Sequence, residues 1–239
     1  MSRYRYYDLI MALFVTVLIS SNVASSAKIV DTGIALSLFG GTVNLAFDGG
    51  AILFPLSYIL GDILTEIYGY RAARRVIWTG FIALSLSSLL FLLLRLLPGD
   101  PVWEEYAGSA AYNAILGGMS SGGIALASLS GYFIGEFSNS VILSRLKVLM
   151  KGRALWVRAI SSSLVGELLD SLAFVLVACL AGVFSWELFT ALVLTNYLFK
   201  ISVEVLLFPC TYLAVSKIKK AEGIDHYDLG VIYNPFPWK

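Results

Sequence analysis

Hydrophobic positions along the chain gather into six long runs separated by short polar stretches. A helix needs about 20 predominantly apolar residues to cross a hydrocarbon layer. The runs at 8–27, 50–69, 76–97, 119–146, 157–182 and 187–216 meet that length, and the last three exceed it, which predicts tilted spans. A shorter apolar piece at 34–47, broken by Gly40-Gly41, is too short to cross and predicts an outer-surface or re-entrant segment. The first run follows Arg3 and Arg5 and ends in small residues, as a signal peptide would, but its length predicts a first span instead. The expected fold is an all-α integral membrane domain of about six transmembrane helices over residues 1–220, followed by a cytoplasmic tail at 221–239.

Composition agrees with that pattern. Of 239 residues, 58% are hydrophobic and 14% charged, and the mean hydropathy is +0.81. A chain whose outer surface meets lipid needs this shift away from the quarter or so of charged residues usual in soluble domains. Charge placement sets an orientation, because cytoplasmic loops carry the excess of Lys and Arg. Arg3 and Arg5 precede the first span, and Arg71, Arg74 and Arg75 follow the second. Arg145, Lys147, Lys151, Arg153 and Arg158 join the fourth to the fifth, and Lys217, Lys219 and Lys220 follow the sixth. The alternate loops hold Asp31, Asp48, Asp100, Glu104, Glu105 and Glu187. Both termini are therefore expected in the cytoplasm. Two cysteines and one histidine offer no disulfide framework, no zinc spacing and no histidine-based catalytic set. Neither an enzyme, a metal site nor a cofactor is expected.

The candidate chemistry lies in charged residues inside the apolar runs. Each costs about 2.5–3.5 kcal/mol at a bilayer centre on the insertion scale. Asp62 and Glu66 lie in the second run, Glu136 in the fourth, Glu167 and Asp170 in the fifth, and Lys200 and Glu204 in the sixth. Lys200 and Glu204, four residues apart, are spaced to pair on one helix face. The acids outnumber the buried cations, so the remainder must be protonated, solvated or facing a ligand.

Three of the acids share a local pattern. Gly61-Asp62 with Thr65-Glu66, Gly135-Glu136 with Asn139-Ser140, and Gly166-Glu167 with Asp170-Ser171 all read small, acid, two residues, polar, polar. Asp62, Glu136 and Glu167 each lie nine residues from an arginine, Arg71, Arg145 or Arg158. Nine residues of helix span about 13 Å, so one shared polar chamber toward the cytoplasmic half is expected. The second and fifth spans run in opposite directions, and their matching motifs predict two inverted three-helix halves, about 8–97 and 119–216. Tyr58 and Tyr132 stand one turn from Asp62 and Glu136 and are candidates to stack on a planar ligand. Ala127, Gly131 and Gly135 form a small-residue stripe for close helix packing. Pro209 predicts a kink in the last span.

These residues resemble a known family. The run at 54–69, with Pro55, Tyr58, Gly61-Asp62, Thr65-Glu66 and Tyr68-Gly69, looks like the signature of the queuosine-precursor transporters, earlier grouped as vitamin uptake transporters. Gly135-Glu136-Phe137 with Asn139, Arg158 before Ser161-Ser162, Gly166-Glu167, Asp170-Ser171, Lys200 and Glu204 with Pro209, and Asn234-Pro235-Phe236 extend the likeness over most of the chain. The resemblance implies uptake of 7-deazaguanine bases, or of queuine or its nucleoside, across the plasma (inner) membrane by secondary transport, with proton coupling as a further expectation. A carboxylate accepts the paired N–H donors of a guanine-like edge. An aminomethyl-bearing precursor would bring a cation as well. The candidate binding residues are Asp62, Glu66, Glu136, Glu167 and Asp170, with Tyr58, Tyr132, Lys200 and Glu204, and with Asn139 and Asn196 as secondary donors and acceptors. Expected partners are a small nucleobase-like solute and membrane lipid, without nucleic acid; a homodimer is left open. The alternative is a substrate-binding membrane subunit working with a separate ATPase, since the chain has no Walker motif. An intramembrane aspartyl protease is disfavoured, because Gly61-Asp62 lacks the Gly-x-Gly-Asp run of those enzymes.

Overall fold

The computed structural model describes residues 4–38 and 41–236. Arg3 and Gly40, used in the sequence reading, lie outside the described residues. Helix α1 spans Tyr7–Ala27. It buries Ile10, Phe14 and Leu18, a stripe at four-residue spacing, and turns Leu9 and Leu13 outward. A hairpin follows, β1 at Ile29–Leu38 and β2 at Gly41–Asp48, paired antiparallel from Ile29 opposite Asp48 to Leu38 opposite Gly41. Its register slips between Asp31 and Ala35, beside Gly33 at a φ of +68°. The segment expected at the outer surface is therefore a small β-hairpin capping one end of an otherwise helical bundle. Pairing the strands satisfies backbone groups that an irregular segment would leave open.

Helix α2, Gly50–Tyr68, is the enclosed centre of the bundle and is buried almost continuously from Ser57 to Tyr68. Gly69 alone separates it from α3, Tyr70–Arg95. The turn needs φ +82° at Gly69, and a Cβ there would meet the carboxylate of Asp228 at 2.8 Å, so glycine is required on both counts. The third span thus starts at Tyr70, earlier than expected, and Arg71, Arg74 and Arg75 belong to its first turns. Inward, α3 presents Ala73, Val76, Ile77, Gly80 and Leu84. Outward it presents Ile82, Leu86, Leu89 and Leu93, the apolar surface a lipid-facing helix needs.

Two helices in the next connection were not expected from the sequence: α4, Pro101–Tyr106, and α5, Gly108–Ser120. Asp100 caps α4, its carboxylate accepting from the N–H of Val102 at 2.9 Å and of Trp103 at 3.2 Å. Helix α6, Gly122–Leu149, continues α5 after a 41° bend at Ser121. With that bent pair taken as one, the helices long and apolar enough to cross a membrane number up to six among the described residues. The last two are α7, Leu155–Leu180, and α8, Phe189–Glu222, which holds Pro209. The small-residue stripe serves close packing. Cβ atoms at Gly135 and Gly166 would lie 3.0 and 3.1 Å from each other's carbonyl oxygens across the α6–α7 seam.

The basic residues expected on one side gather at the end of the bundle opposite the hairpin. Residues 224–236 pack back onto this tail end. The N–H of His226 donates to the Ile67 carbonyl at 3.2 Å. Asp228 accepts from the N–H of Tyr70 at 2.8 Å and the Ser144 hydroxyl at 2.6 Å. Trp78 donates its indole N–H to Pro235 at 2.7 Å, and Arg74 donates to Asn234 at 2.8 Å.

Candidate functional site

A column of buried polar side chains runs through the bundle between α2, α6, α7 and α8. Helix periodicity builds it. On α2, Phe54, Tyr58, Asp62 and Glu66 recur every four residues and share one face over about 18 Å. Helix α7 runs antiparallel beside it and supplies Asp170, Glu167, Ser163 and Arg158 in the matching order. Helix α8 supplies Asn196, Lys200 and Glu204.

At the hairpin end the column opens on a cavity of about 50 Å³. Asn22, Phe54, Asp170, Asn196 and Lys200 line it. The Lys200 ammonium pairs with Asp170, stands 3.7 Å from a Glu167 oxygen and lies 4.0 Å from the centre of the Phe54 ring. The expected partner of Lys200 was Glu204, one turn along α8; here Lys200 reaches across to α7, and Glu204 instead accepts from the Ser163 hydroxyl. Ionic contacts between helices replace the predicted contact along one.

Deeper in, Asp62 accepts from the Asn139 amide at 2.8 Å. Tyr58, fully buried, sends its hydroxyl to the close approach of Gly135 and Gly166. Among the described residues that hydroxyl has no hydrogen-bond partner, and neither do Oε1 of Glu136, Oδ1 of Asn139, both oxygens of Glu167 and one of Glu204. Asp62, Glu167, Asp170 and Glu204 all lie within electrostatic reach of Glu136. These five carboxyls are 7% exposed or less, and none faces the outer surface of the bundle. Among the described residues Lys200 is the cation that pairs with this group, through Asp170 and Glu167, and Asp62, Glu136 and Glu204 form no ion pair. Buried polar groups are ordinarily hydrogen-bonded, so this cluster stands out as acceptors that the described side chains leave unfilled.

Other candidates divide differently. Glu136 and Ser140 turn toward α2 and α3, with Glu136 beside Gly61 and the Ser140 hydroxyl 2.9 Å from that of Thr65. Tyr132 donates its hydroxyl to the Ile77 carbonyl at 2.7 Å, so it ties α6 to α3 and is turned away from the column. Glu66 sits at the tail end in a latch of cations. It takes a two-pronged contact from Arg158 at 2.7 and 3.2 Å, Lys219 at 2.6 Å and Lys147 at 3.6 Å. Lys147 also donates to the Glu66 carbonyl at 2.5 Å and to Asp225 at 2.5 Å. Asp225 joins Lys219 at 2.7 Å, which fastens the tail to the latch. Burial would raise the Asp225 carboxyl, but hydrogen bonds from Lys147 and Lys219 outweigh it and hold the group below its ordinary 3.8.

Lys147, Lys219 and Asp225 were missed as partners in the network around the buried Glu66, because in the sequence they read as loop and tail charges. For Lys147 the one signal was position: it falls one residue beyond the apolar run, within a helix still inside the bundle. Arg158, a possible topology anchor by sequence, is 1% exposed and committed to Glu66.

The family described as "Putative vitamin uptake transporter" matches residues 48–214 of the chain. A protein of Bacillus subtilis (strain 168) named "Probable queuosine precursor transporter" is 27% identical over 213 residues, 89% of this chain and 87% of its own length. The "Queuosine precursor transporter" of Escherichia coli (strain K12) is 27% identical over 161 residues, 66% of this chain and 68% of its own. A Haemophilus influenzae protein named "Probable queuosine precursor transporter" is 23% identical over 187 residues, 77% of this chain and 75% of its own. No solved structure matches the chain.

Proposed function

The chain belongs to the vitamin uptake transporter family, and we propose that it carries 7-deazaguanine precursors of queuosine inward across the plasma (inner) membrane. The observation that carries this reading is the under-satisfied acidic column between α2, α6, α7 and α8. A carboxylate there accepts the two parallel N–H donors of a guanine-like edge. Asp62, Glu167 and Asp170 are the acceptors, Asn139 and Asn196 supply further polar contacts, and Tyr58 offers an aromatic face. Both relatives and motifs support the substrate class: the three relatives carry queuosine precursor transport in their names.

The cavity of about 50 Å³ is far below the 300 Å³ or so of an ordinary ligand pocket, so entry requires the helices to part. Two inverted halves, 8–97 and 119–216, would rock about the column and expose it alternately to the two sides. Both termini lie in the cytoplasm in this reading, with the hairpin outside, because the basic residues collect at the tail end. Transport is secondary. An excess carboxyl in the dry column carries a proton inward with the base and releases it as the tail end opens.

Uptake of a labelled 7-deazaguanine base should be measured in cells that lack both its synthesis and their own transporter. The chain should confer accumulation, and collapse of the proton gradient should reduce it. Absence of uptake, with the protein present in the membrane, would refute the substrate assignment. Uptake that ignores an imposed proton gradient would leave the substrate and remove the coupling.

A further inference from the structure

We propose that Glu167, Asp170 and the face of Phe54 form a primary-ammonium site which Lys200 fills in the closed protein and yields to the ammonium group of an aminomethyl-bearing 7-deazaguanine. This deepens the function proposed above by assigning a residue to substrate choice, and it rests on that reading only for the identity of the ligand.

The geometry is that of cation recognition. Two carboxylates and one aromatic face converge on a single Nζ, with Glu167 at 3.7 Å and the Phe54 centroid at 4.0 Å. Carboxylates give charge-assisted hydrogen bonds to an ammonium, and a ring face adds attraction through its quadrupole. Phe54, Asp170 and Lys200 lie on the wall of the cavity, with Glu167 buried behind them, and the Lys200 side chain is 12% exposed there. The acceptors exceed what Lys200 uses. Glu167 is wholly buried, and neither of its oxygens accepts a hydrogen bond among the described residues. At 3.7 Å the ammonium attracts Glu167 without bonding to it.

A lysine suits this role because its charge sits at the end of a flexible four-carbon stem. Swinging that stem aside removes a cation from the carboxylates and adds volume to a cavity that is otherwise too small. A base bearing its own ammonium replaces the lost contact. A base lacking it leaves Lys200 in place or strands the two acids. Lys200 therefore discriminates between a cationic and a neutral ligand of the same ring. A lysine that merely clamped α7 to α8 would not.

The test uses the full chain in detergent or proteoliposomes, with Cys179 and Cys210 replaced and Lys200→Cys introduced. The new thiol is treated with a small methanethiosulfonate reagent in two forms, one carrying an ammonium and one neutral. The cationic form should react at least about tenfold faster than its neutral counterpart, relative to the ratio for a free thiol. Adding Asp170→Asn with Glu167→Gln should abolish that preference. Equal rates, or a preference that survives loss of both carboxylates, would overturn the site. Protection of the thiol by 7-deazaguanine with and without an aminomethyl group then tests the ligand. Selective protection by the aminomethyl base supports the inference. Equal protection by both bases overturns it while leaving the transported class intact. Protection by neither, with the cationic preference present, refutes the transported class and leaves the ammonium site standing. If the cysteine variant does not fold, the parent serves: acetylation of Lys200, read by mass spectrometry, should rise several-fold when the aminomethyl base is bound. No rise would overturn the exchange.

Discussion

The latch at the tail end yields an asymmetric prediction about two residues that form one ion pair. Glu66 and Arg158 are each 1% exposed and meet at 2.7 Å. Glu66→Gln removes the only carboxylate that Arg158 touches among the described contacts, and it takes the same partner from Lys219 at 2.6 Å and Lys147 at 3.6 Å. Removing one member of a buried pair costs about 3–5 kcal/mol, because the other charge is stranded in a medium that solvates it poorly. Arg158→Met strands far less. Glu66 keeps Lys219 and Lys147, so the loss is near that of one hydrogen bond to a charged group, about 1.5–3 kcal/mol. For a chain of this size 1 kcal/mol moves a melting temperature by about 2–4 °C. Glu66→Gln should therefore lower the melting temperature in mild detergent by roughly 6–20 °C, and Arg158→Met by roughly half of that. The double variant should be milder than the sum, since neutralising the arginine removes one of the charges that Glu66→Gln strands. Tryptophan fluorescence during heating, with gel filtration to confirm a monodisperse start, measures all three. An arginine variant as damaging as the glutamine variant, or strict additivity, would refute the account of the latch.

Further outcomes follow from the same contacts. Asp62→Asn and Glu167→Gln should abolish uptake of the labelled base while leaving folding and membrane insertion intact, because an amide opposes a ligand N–H with its own donor; parent-like uptake would make these acids structural. Gly166→Ala places a Cβ 3.1 Å from the Gly135 carbonyl and 2.8 Å from the Asn139 Cβ, so it should cost about 1–3 kcal/mol in thermal stability, whereas Gly117→Ala, with its nearest neighbour at 3.9 Å, should be close to neutral. Asp228→Ala leaves the Tyr70 N–H and the Ser144 hydroxyl without their acceptor, costs about 1–3 kcal/mol, and should expose residues 224–236 to limited proteolysis. Asp225 has a lowered folded pKa, so its contribution is complete above the ordinary 3.8 and is lost only as pH falls through the lower value. Tail protection should therefore hold from neutral pH to about pH 4 and fail below it, and Asp225→Asn should weaken it across the range above about pH 4 and match the parent below it.

The sequence made the membrane bundle legible because span length and loop charge are one-dimensional properties. Six apolar runs and the clustering of Arg and Lys at alternate connections needed no knowledge of packing. The short helices α4 and α5 were not legible. Their helix signals, the Asp100 cap and Pro101, sit among exposed residues with no apolar periodicity long enough to register. The hairpin was legible as a segment that does not cross, though not as strands. For the buried acids, helical spacing placed Phe54, Tyr58, Asp62 and Glu66 on one face, but spacing cannot say which neighbouring helix that face meets. That is why Lys200 was matched with Glu204 on its own helix, when α7 offers two carboxylates across the gap. The same limit misplaced Tyr132, which stands one turn from Glu136 yet points at α3.

The matching motifs of α2 and α7 give the two ends of the column different tasks. Each motif carries a second acid three or four residues after the first, Glu66 on α2 and Asp170 on α7. Because the helices run antiparallel, those second acids lie at opposite ends, and each meets a cation from α8: Lys219 for Glu66 and Lys200 for Asp170. The pairs are not equal. Glu66 also holds Arg158 and Lys147, and through Asp225 it secures the tail. Asp170 holds one lysine, at the edge of a cavity. Separating α8 from α7 at the hairpin end frees a single lysine from Asp170 and Glu167, and an incoming cation can take its place. Separation at the tail end breaks a network of several charges, with no mobile replacement at hand. In the proposed cycle the column therefore opens more readily toward the hairpin side. Loading the column with a ligand that neutralises Glu167 and Asp170 must then supply the difference that lets the latch release.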